Sequence, residues 1–230
     1  MDAVLRELSR VTLEGRQLAD VLGEITAIAA RAVPGAEAVS TTLVRADKAF
    51  TAAYSGELAL QADELQYEED SGPCIDAGRG GVVLRIDDVR TEVRWPAYMA
   101  RVRATTAVRS SLSVPLPYQG SSIGALNMYS TEPAAFATGS SLAAGLGVAE
   151  AIAVAVANAD AHAQLADQAR NMRLAMESRA VIEQAKGVLM AQRHVDAEQA
   201  FEVLREASQR YNRKLRDIAA GIVESTQTPR

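Results

Sequence analysis

The spacing of apolar residues changes several times along the chain, and each change marks an element. Leu5, Leu8, Val11 and Thr12 fall at helical spacing, and beyond Gly15 a second stripe carries Leu18, Val21, Leu22, Ile25, Ile28 and Ala29. Pro34-Gly35 stops that helix. Val39, Thr41 and Leu43, then Phe50, Ala52 and Tyr54, alternate as two half-buried strands do, with a turn over 45–48. Leu58, Leu60 and Leu65 predict a helix, followed by a turn at Ser71-Gly72-Pro73, a short strand over 82–86 and a helix over 95–103. Residues 111–116 and 123–129 alternate again around a turn at 119–122, which predicts a β-hairpin. The order α-α-β-β-α-β-α-β-β predicts an α+β domain, an antiparallel sheet flanked by helices.

From Ser140 to His194 there is no proline and no strand period, and Ala, Leu, Glu, Gln and Met dominate. Roughly 50 helical residues would extend about 75–80 Å. Leu142, Leu146, Ala149, Ala153 and Val156 recur at coiled-coil spacing, as do Leu165, Ala169, Met172 and Met176, but the two runs are out of phase. A dimer-forming coiled coil with a slipped or interrupted seam fits this pattern, and so does a helix hairpin packed on its own domain. The last 40 or so residues predict three short amphipathic helices. Val181, Ala185, Val188, Leu189 and Gln192 face inward on the first, and Ala200, Val203, Leu204, Ala207 and Tyr211 on the second. Leu215, Ile218, Ala219 and Ile222 do so on the third. Asp196 with Gln199 predicts a capping box, and Asn212 a cap for the third helix.

Charge divides the chain in another way. The net charge is −5, but residues 1–170 hold 14 basic and 21 acidic side chains while residues 171–230 hold 10 and 8. The basic excess therefore lies at the C-terminal end. One cysteine, Cys74, excludes an intrachain disulfide and a Cys-rich zinc site and fits a reducing compartment. Two histidines, His162 and His194, cannot make a His-rich metal site. The acid-bearing N-terminus does not read as a signal peptide, and the Ala/Val-rich stretch 149–157 is too short to span a bilayer. A soluble cytoplasmic protein without membrane attachment is the expectation.

Catalytic signals are weak. Asp87-Asp88 and Glu68-Glu69-Asp70 are acidic clusters of the kind that cap helices or face water, and there is no P-loop, GxGxxG or metal-spaced His pair. No catalytic residue and no metal ligand is assigned. Cys74, after Gly-Pro at a helix start, is placed either as a favoured thiolate or as a small buried residue. The C-terminal helices carry more. Arg179, Glu183, Lys186, Met190 and Arg193 form a stripe on the first, Arg205, Gln209 and Asn212 share the outer side of the second, and Arg213, Lys214 and Arg216 lead into the third. Such a surface suits phosphate and exposed base edges, or is a solvated face with local ion pairs.

Two sets of motifs carry resemblances. Residues 178–190 (SRAVIEQAKGVLM), Ala200-Phe201 with Leu204-Arg205, and Ala207-Ser208-Gln209 through Asn212, Lys214, Leu215, Arg216, Asp217, Ile218 and Ala219 resemble the ANTAR domain. That resemblance implies a three-helix RNA-binding module at the end of a coiled coil, which recognises paired stem-loops in nascent transcripts and prevents transcription termination. It implies RNA contact by Lys186, Arg205, Ser208, Asn212, Arg213 and Lys214. Upstream, Asp63 to Tyr67, Gly72-Pro73-Cys74, Asp87 to Arg90, Arg94-Trp95-Pro96, Val114-Pro115-Leu116 and Gly124 to Asn127 resemble GAF domains. This implies a sensor with Tyr67, Cys74, Trp95 and Tyr98 as walls of a small-molecule pocket, unless they are ordinary core. Some GAF proteins reduce methionine sulfoxide, but those resemble multi-cysteine chains.

The expectation is a GAF-like sensor over 1–138, a connecting coiled-coil helix over 139–175 and an ANTAR-like RNA-binding bundle over 176–230. It is a non-enzymatic, homodimeric regulator, requiring no cofactor but open to an unknown ligand. Its partners are RNA stem-loops and, indirectly, the transcribing RNA polymerase. The alternative is a GAF sensor whose C-terminal bundle docks a protein or DNA.

Overall fold

Five strands form one antiparallel sheet: β1 (Ala38–Arg45), β2 (Lys48–Ser55), β3 (Leu84–Ile86), β4 (Ser110–Tyr118) and β5 (Ser121–Ser130), in the order β2-β1-β5-β4-β3. The computed structural model describes residues 6–8, 10–11, 15–46 and 48–227. Leu5 and Thr12 of the first helical stripe lie outside the described residues. Around the strands run α1 (Leu18–Ala32), α2 (Glu57–Glu69), α3 (Pro73–Gly80) and α4 (Pro96–Thr105). The long α5 (Gly139–Arg193), α6 (Ala197–Tyr211) and α7 (Leu215–Gln227) complete the chain. Packing divides it into one unit over residues 1–161 and another over 162–230.

In the first unit, the pleat sorts side chains onto two faces of the sheet. Val39 and Leu43 of β1, Leu112, Val114 and Leu116 of β4, and Leu126 and Met128 of β5 form one face. They pack against Val21, Leu22, Ile25 and Ile28 of α1 and against Val148, Ala149, Ile152 and Val156 of α5. The first half of α5 is thus core. It contains a window long and apolar enough to cross a membrane by composition, and half of that window is buried against this sheet.

The second face meets α2, α3 and α4. Ala59, Ala62, Ile86, Tyr98, Met99, Val102 and Tyr129 make its apolar part. The rest of that face is polar and buried, with Ser40, Thr42, Ser111, Ser113 and Asn127 among the covered side chains. Gly124 closes the layer. A Cβ there would stand 2.0 Å from the Thr42 carbonyl oxygen across the β1–β5 pair, and Gly78 of α3 approaches the same glycine.

The second unit has a small aliphatic core of Ala185, Leu189, Ala200, Leu204 and Ala219, with Val181, Ile182, Val203, Leu215 and Ile218 against it. Asp196 caps α6 as the spacing predicts, its carboxylate accepting from Gln199 N while the Gln199 side chain accepts from Asp196 N. Asn212 differs from expectation. It ends α6 in the left-handed conformation (φ 49°, ψ 42°), a role asparagine tolerates, and α7 begins three residues later. Gln192 and Tyr211, expected inward, are exposed. The buried residues of α6 are Ala200 and Leu204, seven positions and more before Tyr211.

Candidate ligand pocket and nucleic-acid interface

In the sensor unit, sheet pairing builds a polar layer. Ser113, Asn127 and Ser40 stand opposite one another across β4, β5 and β1, and Ser111 stands opposite Tyr129. Above them α2 lays Asp63, Gln66 and Tyr67, one helical turn apart or less. Asp63 is fully buried and accepts from Tyr129 Oη at 2.6 Å and Thr51 Oγ1 at 2.9 Å. Gln66 Nε2 donates to Tyr129 Oη at 3.0 Å, and its Oε1 accepts from Cys74 N at 2.7 Å. The Tyr67 hydroxyl lies 2.8 Å from Thr42 Oγ1 and 2.9 Å from Thr51 Oγ1. Asn127 Nδ2 donates to Ser40 Oγ and Thr42 Oγ1.

Among the described residues, the hydrogen-bond partners of Asp63 are hydroxyls. Burial pushes the Asp63 carboxyl up to about 6, against the pull of its hydroxyl partners. Among the described residues, Ser111 Oγ, Ser113 Oγ and Asn127 Oδ1 are buried with no hydrogen-bond partner. Each such atom costs about 1–3 kcal/mol where it stays unpaired. All three belong to the same face, and two are direct register partners.

The four expected pocket walls meet this layer unequally. Tyr67 and Cys74 join it. Cys74 stands in the first turn of α3, yet it is fully buried beside Asp63, and burial pushes its thiol well up. The thiolate expected at a helix start is therefore not favoured, and the small buried residue is what the structure shows. Trp95 and Tyr98 are buried in the neighbouring apolar cluster. Trp95 donates its indole N–H to Asp76 at 2.8 Å, and the Arg94 guanidinium stacks 4.6 Å from its ring centre. Two cavities of this unit open elsewhere. One of about 400 Å³ lies between α1 and α5, lined by Leu8, Val21, Ile25 and Val154. Another of about 430 Å³ lies beside Arg90, Arg103 and Arg109. The motif reading missed Asn127's orphan oxygen, Ser111 and Ser113, and gave no role to Asp63. Their alternation in β4 and β5 was visible, but it reads equally well as a solvent face.

In the second unit the six candidate RNA contacts fall into two groups. Lys186 Nζ bridges to Glu183 at 2.9 Å, and its side chain is 17% exposed. Arg205 is held by Glu202 one turn back on α6, which keeps the Glu202 carboxyl below its ordinary value. Ser208 Oγ donates to the Arg213 carbonyl at 2.6 Å, while Arg213 N donates to the Ser208 carbonyl. Asn212 is the helix cap. Lys186, Arg205 and Ser208 thus hold local structure through their side chains, and Asn212 does so through its backbone. Arg213 and Lys214 are exposed in the corner those bonds stitch. From Ala207 to Arg216 the chain carries Arg210, Arg213, Lys214 and Arg216 and no acid. Among the described residues no cluster of three His, Cys, Asp or Glu side chains could hold a metal.

The sensor fold has many counterparts among solved structures. The GAF domain of a phosphoenolpyruvate-protein phosphotransferase from Coxiella burnetii is 20% identical, with a TM-score of 0.56 over 70% of this chain and 95% of that one. The corresponding Acinetobacter domain is 15% identical, with a TM-score of 0.54 over 70% and 96%. Free methionine-R-sulfoxide reductase from Neisseria meningitidis, solved with its substrate, is 22% identical, with a TM-score of 0.51 over 67% and 86%. At these identities the likeness is one of fold. No curated protein sequence matches the chain. The model of the GAF domain matches residues 15–157, and that of the ANTAR domain matches residues 170–223. The chain belongs to the GAF family and joins its GAF domain to a following ANTAR domain, an architecture of regulatory rather than catalytic domains.

Proposed function

We propose that this protein is a homodimeric, signal-responsive regulator that binds stem-loops in nascent RNA and prevents transcription termination as the polymerase transcribes. In this reading the sensor covers residues 1–138, the connecting coiled coil 139–175 and the RNA-binding bundle 176–230, all in the cytoplasm. The observation that carries the RNA reading is the exposed, acid-free corner between α6 and α7, in a unit that matches the ANTAR domain. Phosphate neutralisation there explains why a basic end follows an acidic sensor. Dimerisation is supported by α5. Every residue from 161 to 177 is exposed, including Leu165, Met172, Leu174 and Met176. A second copy of the stripe would cover these apolar side chains. Two linked bundles on paired stem-loops would gain by effective concentration. The input site is the polar layer over the sheet, where a small polar ligand would partner Ser111, Ser113 and Asn127.

Replacing Arg213 and Lys214 together by Glu tests this. Binding to a pool of RNA hairpins with randomised loops should be lost. For the milder Arg213→Gln with Lys214→Gln pair, the slope of log affinity against log salt should fall by about 1 per phosphate contact removed. Sedimentation should show the same dimer in both. Unchanged hairpin affinity in the Glu variant would overturn the assignment, and a monomeric wild-type chain would overturn the coiled coil.

A further inference from the structure

Residues 162–230 contain two aromatic side chains, Phe201 and Tyr211, and neither is in the core of its unit. Phe201 is 41% exposed and Tyr211 is 64% exposed. Their surroundings differ. Phe201 stands in the first turns of α6 with Glu198 and Glu202 on either side, whereas Tyr211 ends α6 between Arg210 and Arg213. Ten helical residues separate them, about 15 Å along the axis.

An aromatic ring left outside a small protein core forgoes about 1.5–3 kcal/mol of burial, so its position needs a partner from outside or is surface noise. The corner argues for a partner. It is fixed before anything binds: Asn212 N donates to the Gln209 and Ser208 carbonyls, Arg213 N to the Ser208 carbonyl, and Ser208 Oγ back to the Arg213 carbonyl. The ring is therefore carried on a rigid turn, which lowers the ordering cost of binding. Around it Arg210, Arg213 and Lys214 supply cations with no acid from Ala207 to Arg216, while Arg216 pairs with Asp217 at 3.4 Å. Cations that track phosphate beside an aromatic face are how proteins hold unstacked bases. An acidic protein would match the ring and its cations as well, but the match of this unit to the ANTAR domain favours RNA. A closed duplex would present no free base to stack on.

We infer that Tyr211 is a base-stacking platform: it receives an unpaired base from the loop of a bound RNA hairpin while the neighbouring cations hold the backbone on either side. This rests on the RNA-binding reading and adds to it the residue that takes a loop base by stacking. Stacking, not the phenol hydroxyl, does the work, so the aromatic ring alone should suffice.

The full-length chain and its Tyr211→Phe, Tyr211→Ala and Phe201→Ala variants are titrated with two probes: the pool of RNA hairpins with randomised loops, and the same stem sequence as a blunt RNA duplex. Circular dichroism verifies that each variant keeps its helices. Tyr211→Ala should weaken hairpin binding about tenfold, the effect of losing one stacked base. It should leave the weaker duplex binding unchanged. Tyr211→Phe and Phe201→Ala should bind hairpins within about twofold of the wild type, a difference well under one stacked base. Hairpin binding by Tyr211→Ala equal to that of the wild type, or an equal loss for hairpin and duplex, would overturn the role of Tyr211 and leave the RNA reading standing. A wild-type chain that binds neither probe would overturn both.

Discussion

The two units use their polar side chains in opposite ways. In the sensor, Asp63 and Gln66 meet at the Tyr129 hydroxyl, and Tyr67 and Asn127 join the layer through the hydroxyls of Thr42 and Thr51, on a sheet covered on both faces. Among the described residues of the C-terminal unit, five side chains are packed into the core, all aliphatic, and polar side chains such as Lys186 and Arg205 stay on local helical partners. A dense core can afford a buried polar layer because apolar contacts on the opposite face hold the sheet. A thin core leaves its surface available to a partner and depends on small, well-placed side chains. Burial therefore gathers the polar groups of the first unit into one layer, and exposure leaves those of the second on its surface.

The difference can be broken at the point where the sensor is most tightly closed. Gly124→Val puts branched carbon into a space where even Cβ would stand 2.0 Å from the Thr42 carbonyl oxygen, which neither β1 nor β5 can yield. The expected loss exceeds about 4 kcal/mol, enough to unfold the sensor unit. The only tryptophan, Trp95, is buried in that unit and reports on it alone. Its fluorescence should shift to that of a solvated indole while circular dichroism keeps the helical signal of α6 and α7. Loss of both together would show that the C-terminal unit cannot stand without the sensor.

A smaller effect separates the polar layer from the apolar face. The folded sensor holds the Asp63 proton up to about pH 6, whereas the unfolded chain releases it near the ordinary carboxyl value of 3.8. Between those values the folded state binds more protons, so this group's contribution to stability is full below about pH 4 and is lost as pH rises past about 6. Asp63→Asn removes the dependence. Relative to the wild type, the variant should gain stability as pH rises from about 4 to about 7, by on the order of 3 kcal/mol. Asp88 and Glu92 run the other way. The Arg109 and Arg94 guanidinium groups hold their carboxyls at about 2, so their contribution is lost only as pH falls through the acid range. Urea unfolding followed at Trp95 measures the wild-type–variant difference, and a difference independent of pH would mean that Asp63 is not the titrating group.

Local features of this kind are what the sequence shows best. The α1 stripe from Val21 to Ala29, the alternation of β1 and β5, and the Asp196–Gln199 capping box all follow from residues within a few positions of one another. The polar layer does not. Asp63 and Tyr129 are 66 positions apart and meet only because β5 lies beside β1 under α2. The alternation of Ser111 and Ser113 correctly sets them on the face away from Leu112 and Val114, but alternation alone cannot say that α2, α3 and α4 cover that face. At the other end, Tyr211 falls seven residues after Leu204 and so continues its helical stripe. What the stripe cannot reveal is that the core stops before reaching it. Asn212 shows the same limit, since the residue suits either end of a helix and only its positive φ decides which.

The smallest expected effect lies where burial gives way to exposure along α5. Val156 is buried on the sheet, Asp160 is half-buried, and the residues from 161 to 177 are exposed. At that margin Arg45, the last residue of β1, donates from Nη2 to both Asp160 carboxylate oxygens at 3.0 Å. The same strand carries Ser40 and Thr42 of the polar layer, so the pair ties that strand to the helix that leaves the core. With the two side chains 44% and 30% exposed, the bridge is worth about 0.2–1 kcal/mol. Arg45→Ala should accordingly leave urea unfolding almost unchanged. Its effect should be local, because the helix there has few other contacts to hold it: amide hydrogen exchange should quicken around 157–163 and stay as slow as in the wild type around 148–153. Unchanged exchange in both segments would mean that packing through Val156 alone fixes the end of the core, and would move the boundary between the two regimes one turn toward the N-terminus.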